Sequence, residues 1–523
     1  MRRPRATEVS TVKKPVSQDQ QGKIAGLAVV VMAAGLGKRM RSKQAKVLHP
    51  VAGQAMVLYS VGLGLRLAGD RVAVVVGYQA DLVRQVIVRA TSGKSGDSPV
   101  AIVEQLEQLG TGHAVLQSRS VFAVGKRGAP SRYLILNGDT PLLQERTVRE
   151  LLRVHEAERA TVTVLTAVLA DARGYGRVVR AHSAERGVAR IVEDRDANSE
   201  EQAIREVNAG TYVVDGEFLF SALEKLEPSN AQGEYYLTDI IHLAQDSGRR
   251  VAAVMLDNPN EGLGVNTRRQ LAEVEQVVRQ QIRNRWLDAG VTMIDPTSVW
   301  IDNTVTIGKD TVLYPNVTLE GNTVIGEDCV LRSYVRLTNC TIGNGVEILD
   351  HCVCADSHIE DGAHLGPFVH LRPGVMVRKK AKVGNFVEMK KTDLGEGSKA
   401  NHLSYLGDTT IGKGVNIGAG TITCNYDGVR KFQTVIGDGV FLGSDTQLIA
   451  PVTVGAGAII AAGTTVTEDV PADALAIGRV PQVNRTGWAA RRRALQGGVN
   501  RDTLTVKRKT KFTRLTKKRP MPS

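Results

Sequence analysis

From Ile301 an apolar residue returns at every sixth position: Ile301, Ile307, Leu313, Leu319, Ile325, Leu331 and Leu337. After a one-residue slip the beat resumes at Ile342 and Ile348. It returns at Ile359, Leu365, Leu371, Val377 and Val383, at Ile411 and Ile417, and through Ile436, Leu442, Leu448, Val454, Ile460 and Val466. Neither an α-helix nor an ordinary strand has a period of six. A hexad fits a parallel β-helix in which each flat side takes six residues and the beat residue stacks inward on its copy in the next coil. Glycine often follows the beat, as at Gly308, Gly326, Gly343, Gly412 and Gly437, where a Cβ would crowd a corner. Between Met389 and Ile411 the beat weakens. That predicts a loop excursion, and excursions from solenoids commonly carry function.

Ahead of this region the pattern changes. Leu27–Met32, Val72–Val76, Tyr133–Leu136 and Thr161–Leu165 are short Val/Leu/Ile-rich runs separated by helical stretches, as in a parallel sheet covered on both faces. Leu271, Val274, Val278, Ile282 and Trp286 follow a helical beat over residues 267–290, ending at Gly290. The expected organisation is a disordered extension (1–23), an α/β domain (24–264), a helical linker arm (265–294), a β-helix (295–486) and a basic disordered tail (487–523).

Composition refines this outline. Scarce aromatics with abundant Gly, Val and Ile suit thin aliphatic layers. Cys329, Cys340, Cys352, Cys354 and Cys424 form no disulfide framework and suit a reducing cytoplasm. The Cys352-x-Cys354 spacing lacks the usual two-residue gap of a metal site and reads as core filling. Of the net charge of +13, residues 485–523 hold thirteen Lys/Arg against the single acid Asp502 and residues 1–23 hold six against two acids, so the remaining body, at −3, is mildly acidic. Basic tails can touch nucleic acid or anionic membrane, but a solvated tail is the simpler reading, and no specific nucleic-acid binding is expected. The basic start followed by apolar Ile24–Ala34 imitates a signal peptide but runs directly into a glycine-rich loop. No run of eighteen apolar residues exists, so no membrane span is expected.

Leu27–Met40 reads as a strand breaking into a glycine loop. Its Ala33, Ala34, Gly35 and Gly37 let backbone N–H groups close on phosphate oxygens. Arg39 and Lys46 add positive charge where a triphosphate would sit. The Gly-Lys-Ser/Thr of a Walker loop and the third glycine of the dinucleotide fingerprint are both missing. Asp139 follows the run Tyr133–Leu136, at the carboxyl edge where open α/β sheets bind ligands. One carboxylate with one amide oxygen, Asn266, suits Mg²⁺, which keeps several waters and takes other ligands from phosphate.

The wider pattern is more specific. Ala33-Ala-Gly-x-Gly-x-Arg-Met40 with Lys46-Val-Leu, Glu107-Gln-Leu-Gly-Thr-Gly-His113 and Leu136-Asn-Gly-Asp-Thr-Pro-Leu142 resemble the sugar-1-phosphate nucleotidyltransferases. So do Gly174-Tyr-Gly-Arg177, Glu193, Val207-Asn-Ala-Gly210, Gly233-Glu-Tyr-Tyr-Leu-Thr-Asp239 and Gly264-Val-Asn266. With the hexads, residues 26–488 resemble the bacterial bifunctional N-acetylglucosamine-1-phosphate uridylyltransferase/glucosamine-1-phosphate acetyltransferase family. The resemblance implies an α/β Rossmann-like nucleotidyltransferase domain followed by a left-handed parallel β-helix of hexapeptide repeats, an exception to right-handed crossovers. It implies that UTP and UDP-N-acetylglucosamine contact Met32, Ala33, Ala34, Gly35, Lys46, Asn137 and Gly138. Gln105, Gln108, Gly110 and Thr111 would read the uracil and ribose side, and Gly176, Glu193 and Asn208 would hold N-acetylglucosamine. Asp139 and Asn266 would hold Mg²⁺, and Arg39 and Lys46 would neutralise phosphate charge. Two positions depart from the family: Gln44-Ala45 stands where Leu-Pro is common before the lysine, and Leu36 where some relatives carry Lys.

In the β-helix, Gly384–Lys391 and Ser398–Asp408 resemble the family's acetyltransferase site, with His402 in the place of the general base. Histidine's ordinary pKa of roughly 6.5 suits a proton acceptor near neutrality. The resemblance implies that Arg372, Lys390, Tyr405 and Asn416 bind glucosamine-1-phosphate. It assigns Ala419, Asn425, Tyr426, Lys431, Ser444, Ala462 and Arg479 to acetyl-CoA. It further implies a cytoplasmic homotrimer, with acetyl sites at subunit contacts, that feeds peptidoglycan and lipopolysaccharide precursor synthesis. A monofunctional nucleotidyltransferase with a regulatory β-helix has no need of His402, Lys390, Arg372 and Tyr405 together. A non-enzymatic assembly subunit of the same shape would be expected to lose Arg39, Lys46 or Asp139.

Overall fold

Among the described residues, seven strands form the main path of a nine-stranded sheet in the first half: β1 (Leu27–Ala33), β2 (Val72–Val76), β3 (Val100–Glu104), β4 (Arg132–Asn137), β5 (Val162–Val168), β6 (Glu206–Asp215) and β7 (Val251–Met255), with Arg177–Arg180 and Val188–Val192 pairing beside β6. The computed structural model describes residues 22–93, 96–123, 128–181 and 187–497, so residues 1–21 and the segment after 497 lie outside it. The strands lie in the order β7-β5-β6-β4-β1-β2-β3. β1 pairs in parallel with both β2 and β4. The apolar runs are buried because helices cover both faces: β2 is buried at every residue. The sheet is not wholly parallel as expected, because β6 runs antiparallel to β4 and β5. Its register with β5 slips between Asn208 and Tyr212, a bulge that re-aims the side chains there. From β1 the chain passes first to β2 and β3, then returns to β4 on the other side. The crevice between the carboxyl ends of β1 and β4 is therefore a topological switch point.

From Thr292 to Ala476 the chain winds as a left-handed parallel β-helix whose strands are two to seven residues long. Beat residues pair coil on coil, as in Ile301↔Leu319 and Leu319↔Leu337. They are essentially without solvent exposure, and burying each contributes about 1.5–3 kcal/mol. A Cβ at Gly308 would fall 2.4 Å from the Gly326 carbonyl oxygen, which explains the glycine after the beat. Cys352 and Cys354 are fully buried and free, as core filling requires.

The predicted excursion between Met389 and Ile411 is not there. Met389, Leu394, Ala400 and Leu406 continue the inward stack at zero exposure. Strands Glu388–Leu394 and Tyr405–Ile411 run straight through a shortened corner, so their inward residues are five apart and escape a six-residue count. The excursion lies further on. Between strands Ile422–Cys424 and Thr434–Ile436 the chain loops out, and the loop is closed by pairing of Tyr426 with Lys431.

Helix α1 (Arg268–Asp288) begins at a capping box of Thr267 and Gln270 and is followed by Gly290 at φ 91°. Its buried face of Val274, Val278, Ile282 and Trp286 joins one core with Val299 and Ile301 of the first coil and with Val51, Leu142 and Val265 of the α/β half. A hairpin at Pro50–Ala55 completes the joint. Ala52 N–H donates to Glu275 Oε2 (2.7 Å) and its carbonyl accepts from Asn303 N (2.9 Å). A Cβ at Gly53 would lie 2.2 Å from the Asp302 carboxylate.

Past Gly487 the expected disordered tail instead opens with helix α2 (Trp488–Gly497). Its Ala, Arg, Leu and Gln are good helix formers. The rest of the tail, and the expected extension up to residue 21, fall outside the described residues. Among the described residues no helix is long and apolar enough to cross a membrane.

Leu406→Ala removes a buried side chain between Met389 and Thr423 of adjacent coils. It should destabilise the β-helix by about 2–5 kcal/mol, read as a lowered denaturant midpoint at unchanged slope.

Candidate active sites

At the switch point, β1 ends at Ala33 and the chain passes through Ala34, Gly35, Leu36 and Gly37. Gly37, at φ 60°, brings this loop against Lys46, whose Cβ would lie 2.6 Å from an added Cβ. Ala45 adopts φ −54°, ψ 136°, a conformation proline would also adopt. Its N–H, which proline lacks, donates to Gln79 Oε1 at 2.7 Å. The departure from Leu-Pro thus keeps the backbone shape and gains an anchor.

The Lys46 ammonium forms a close ion pair with Asp139 and donates to Asn266 Oδ1 at 3.1 Å. The two hard oxygens nominated as metal ligands therefore converge on one cation. Their placement is tied, since Val265 N–H donates to the Asp139 carbonyl (2.9 Å) and Asn266 N–H to Gln270 Oε1 (2.8 Å). Among the described residues no three or more His, Cys, Asp and Glu side chains are grouped so that they could hold a metal ion between them. A carboxylate plus an amide oxygen fits Mg²⁺, which draws remaining ligands from water and phosphate.

A cavity of about 210 Å³ opens beside this pair, lined by Met32, Thr111, Asn137, Gly176, Glu193 and Asn208 among others. A larger cleft of about 630 Å³ adjoins it and is walled by Gly37, Arg39 and Lys46. Asn208 is fixed by the bulge: its Nδ2 donates to Tyr212 Oη (2.6 Å) and its Oδ1 accepts from Gly210 N (2.8 Å). Asn137 Nδ2 reaches the Gly210 carbonyl at 3.3 Å, and Gly138 N–H donates to Met32 O at 2.9 Å. Gln105 and Gln108 stand behind Gly110 and Thr111, with Gln108 Nε2 on Gln105 O at 3.3 Å. Burial pushes the Glu193 carboxyl above its usual range, helped by Asp239, Asp196 and Asp194 and opposed by the Thr238 hydroxyl.

On the β-helix, His402 pairs in register with Asn385 of the coil below. Its Nδ1–H donates to Asn385 Oδ1 (2.9 Å), which leaves Nε2 free to accept a proton. Asn416 lies one coil above Lys399 on the same side. Around the corner, Arg372 Nη1 donates to Glu388 Oε1 (2.9 Å), and Glu388 is in register with Tyr405. The 425–433 loop brings Lys431 against Lys390, and this neighbour, with Arg372, holds the Lys390 ammonium below its ordinary pKa. Three cations are thus gathered as an anion would require. Asn425 Nδ2 donates to Asp408 Oδ2 (2.5 Å), and Tyr426 Oη to Gly428 O (2.5 Å). Ala419, Ser444 and Ala462 follow one another coil by coil, and Arg479 donates to the Ala462 carbonyl. This small-residue column is open to solvent at Ser444 and Ala462.

Three supporting residues were not singled out from sequence. Arg177, 2 % exposed, donates to the Tyr175 carbonyl and to Asp194 Oδ1 (2.9 Å), tying the loops that carry Gly176 and Glu193. Asn385 orients His402, and Asp408 orients Asn425. The last two lie seventeen residues before their partners, one shortened coil away, and that offset was the available signal.

The raised Glu193 pKa has a sign. A carboxyl that holds its proton more tightly when folded opposes folding while ionised, and this cost disappears below the unfolded value of roughly 4.3. Glu193→Gln should therefore raise the melting temperature of the unliganded protein at pH 7–8. The gain should shrink as pH falls toward 4.5, measured by scanning calorimetry across pH.

The chain matches the family model described as nucleotidyl transferase over residues 28–293 and the bacterial transferase hexapeptide model over 304–339 and 433–468. It is 48% identical over 466 residues to the bifunctional protein GlmU of Trichlorobacter lovleyi, covering 89% of this chain and 98% of that one. It is 46% identical over 465 residues to GlmU of Pelobacter propionicus, with coverage of 89% and 98%. It is 44% identical over 465 residues to GlmU of Shouchella clausii, with coverage of 89% and 99%. A nucleotidyl transferase domain and a hexapeptide β-helix in one chain, matched end to end by these relatives, show that the chain belongs to the bifunctional GlmU family.

Proposed function

We propose that the chain makes UDP-N-acetylglucosamine in two steps. The β-helix transfers an acetyl group from acetyl-CoA to glucosamine-1-phosphate, and the α/β domain then transfers a uridylyl group from UTP to the product. The observation that carries this reading is the coexistence of two separate sites, the Lys46–Asp139–Asn266 convergence and the His402–Asn385 pair.

In the acetyl step the sugar's 2-amino nitrogen attacks the thioester carbonyl, the C–S bond breaks and CoA leaves as thiolate. His402 Nε2 takes the proton lost by the nitrogen, and Asn385 holds the ring in the tautomer that leaves this nitrogen free. Arg372 and Lys390 offer the charge that receives the sugar phosphate, with Lys431 of the acetyl-CoA set lying against Lys390 and Tyr405 and Asn416 completing the pocket. The column of Ala419, Ser444 and Ala462 would take the coenzyme, with Asn425, Tyr426 and Arg479. In a homotrimer with acetyl sites between subunits, a second copy would lie against it.

In the uridylyl step a phosphate oxygen of the sugar attacks the α-phosphorus of UTP in line and pyrophosphate leaves. No covalent enzyme intermediate is required. Arg39 and Lys46 neutralise the phosphates, and the glycine loop offers backbone N–H groups. Gln105, Gln108, Gly110 and Thr111 receive the uridine, while Gly176, Glu193 and Asn208 hold the sugar. Asp139 and Asn266 would hold Mg²⁺, which when bound neutralises charge building on the phosphates. The buried free thiols suit a reducing cytoplasm.

Asp139→Ala should abolish uridylyl transfer while sparing acetylation, since the site it removes lies wholly in the α/β half. Both activities measured on one preparation decide this, and retained uridylyl transfer at saturating Mg²⁺ would refute the ligand assignment. His402→Ala should do the converse, lowering acetyl transfer by about 10²–10⁴. The wild-type acetyl pH profile should show a basic-form requirement that the variant lacks.

A further inference from the structure

Gln105 ends the stretch that follows β3, and its side chain is 3 % exposed. Its Nε2 lies 3.1 Å from the Gly110 carbonyl oxygen and 2.9 Å from His113 Nδ1. A peptide carbonyl can only accept, so the amide end facing Gly110 must be the nitrogen. The second hydrogen of that nitrogen then points at His113 Nδ1, which must carry a lone pair. The other ring nitrogen, Nε2, lies 3.0 Å from Gln117 Nε2, itself 3.2 Å from the His113 carbonyl. A neutral imidazole cannot accept at both nitrogens. The conflict has one inexpensive resolution. Gln117 is only half-buried and can turn its oxygen toward His113 Nε2–H, losing the long contact with the His113 carbonyl. Gln105 cannot turn, because its oxygen would then face the Gly110 carbonyl in a site nearly closed to water.

Both Gln105 amide hydrogens are thereby spent, and its Oε1 accepts no hydrogen bond from any described residue. We propose that His113 is a positioning residue for nucleobase selection, locking the Gln105 amide so that an obligate acceptor faces the base. This rests on the reading above that Gln105 meets the uridine. A fixed acceptor receives the imide N3–H of uracil and opposes the N3 lone pair of cytosine. Sites built around such a bond discriminate strongly against the analogue that lacks it.

The test uses the full chain, with UTP and CTP compared in the uridylyl assay and the thermal unfolding of the α/β half as the control for folding. His113→Phe keeps a ring but removes the acceptor. It should raise the KM for UTP about tenfold and shift the UTP-over-CTP preference in kcat/KM by about tenfold or more. The kcat with UTP and the KM for the sugar phosphate should stay within about threefold of wild type. His113→Asn, which places an oxygen acceptor where Nδ1 stands, should recover most of the preference. His113→Leu makes the same deletion should the Phe variant prove insoluble. An unchanged UTP-over-CTP preference, or an Asn variant as impaired as Phe, overturns the role of His113. Gln105→Ala separates this from the underlying reading. If it leaves the KM for UTP at the wild-type value, Gln105 does not meet the base and the reading itself fails. If it abolishes the preference while His113→Phe does not, the reading stands and the positioning role falls.

Discussion

Coil-on-coil register is the constraint from which the second half of the molecule follows. Each inward residue must sit on its counterpart one coil away, because a one-residue slip would turn every aliphatic side chain outward. Register therefore also fixes what faces outward. His402 stands over Asn385 and Asn416 over Lys399 because Ala400 stands over Val383 and Ile417 over Ala400. A histidine held by such a lattice has its ring placed by the coils beneath it, and its tautomer follows from the single contact at Nδ1.

The α/β half solves its problem differently. Its chemistry sits on loops at the carboxyl ends of β1 and β4, and those loops are pinned one hydrogen bond at a time. Gln79 holds Ala45, Gln270 holds Asn266, and Arg177 ties the loops that carry Gly176 and Glu193. The Lys46 ammonium is paired with Asp139 and lines the larger cleft, so the charge on that wall is balanced within the protein itself.

Much of this was legible in the chain. The hexads were readable because most inward positions are aliphatic, and they failed where they are not. Cys354, Ala400 and Thr423 are inward and buried but too small or polar to mark a beat. The five-residue step from Met389 to Leu394 read as an interruption, so the excursion was expected before its true position at 425–433. The wholly parallel sheet was a fair expectation from apolar runs, but a run's direction leaves no mark in its composition, and β6 runs the other way. Candidate site residues were nominated through motif resemblance. Asn385, Asp408 and Arg177 were not, since their roles arise from contacts with residues seventeen positions away.

The joint between the halves has a kinetic meaning. Helix α1 is not a free arm, because its apolar face is embedded in the core of the first coil and Glu275 and Asn303 clamp Ala52 from both sides. No swinging carrier can then ferry the acetylated sugar from the β-helix to the α/β crevice. Where the acetylated sugar of the proposed sequence travels through solvent, its free concentration must climb toward the second site's KM before the final product accumulates at a steady rate, so the coupled reaction begins with a lag that shortens as enzyme concentration rises.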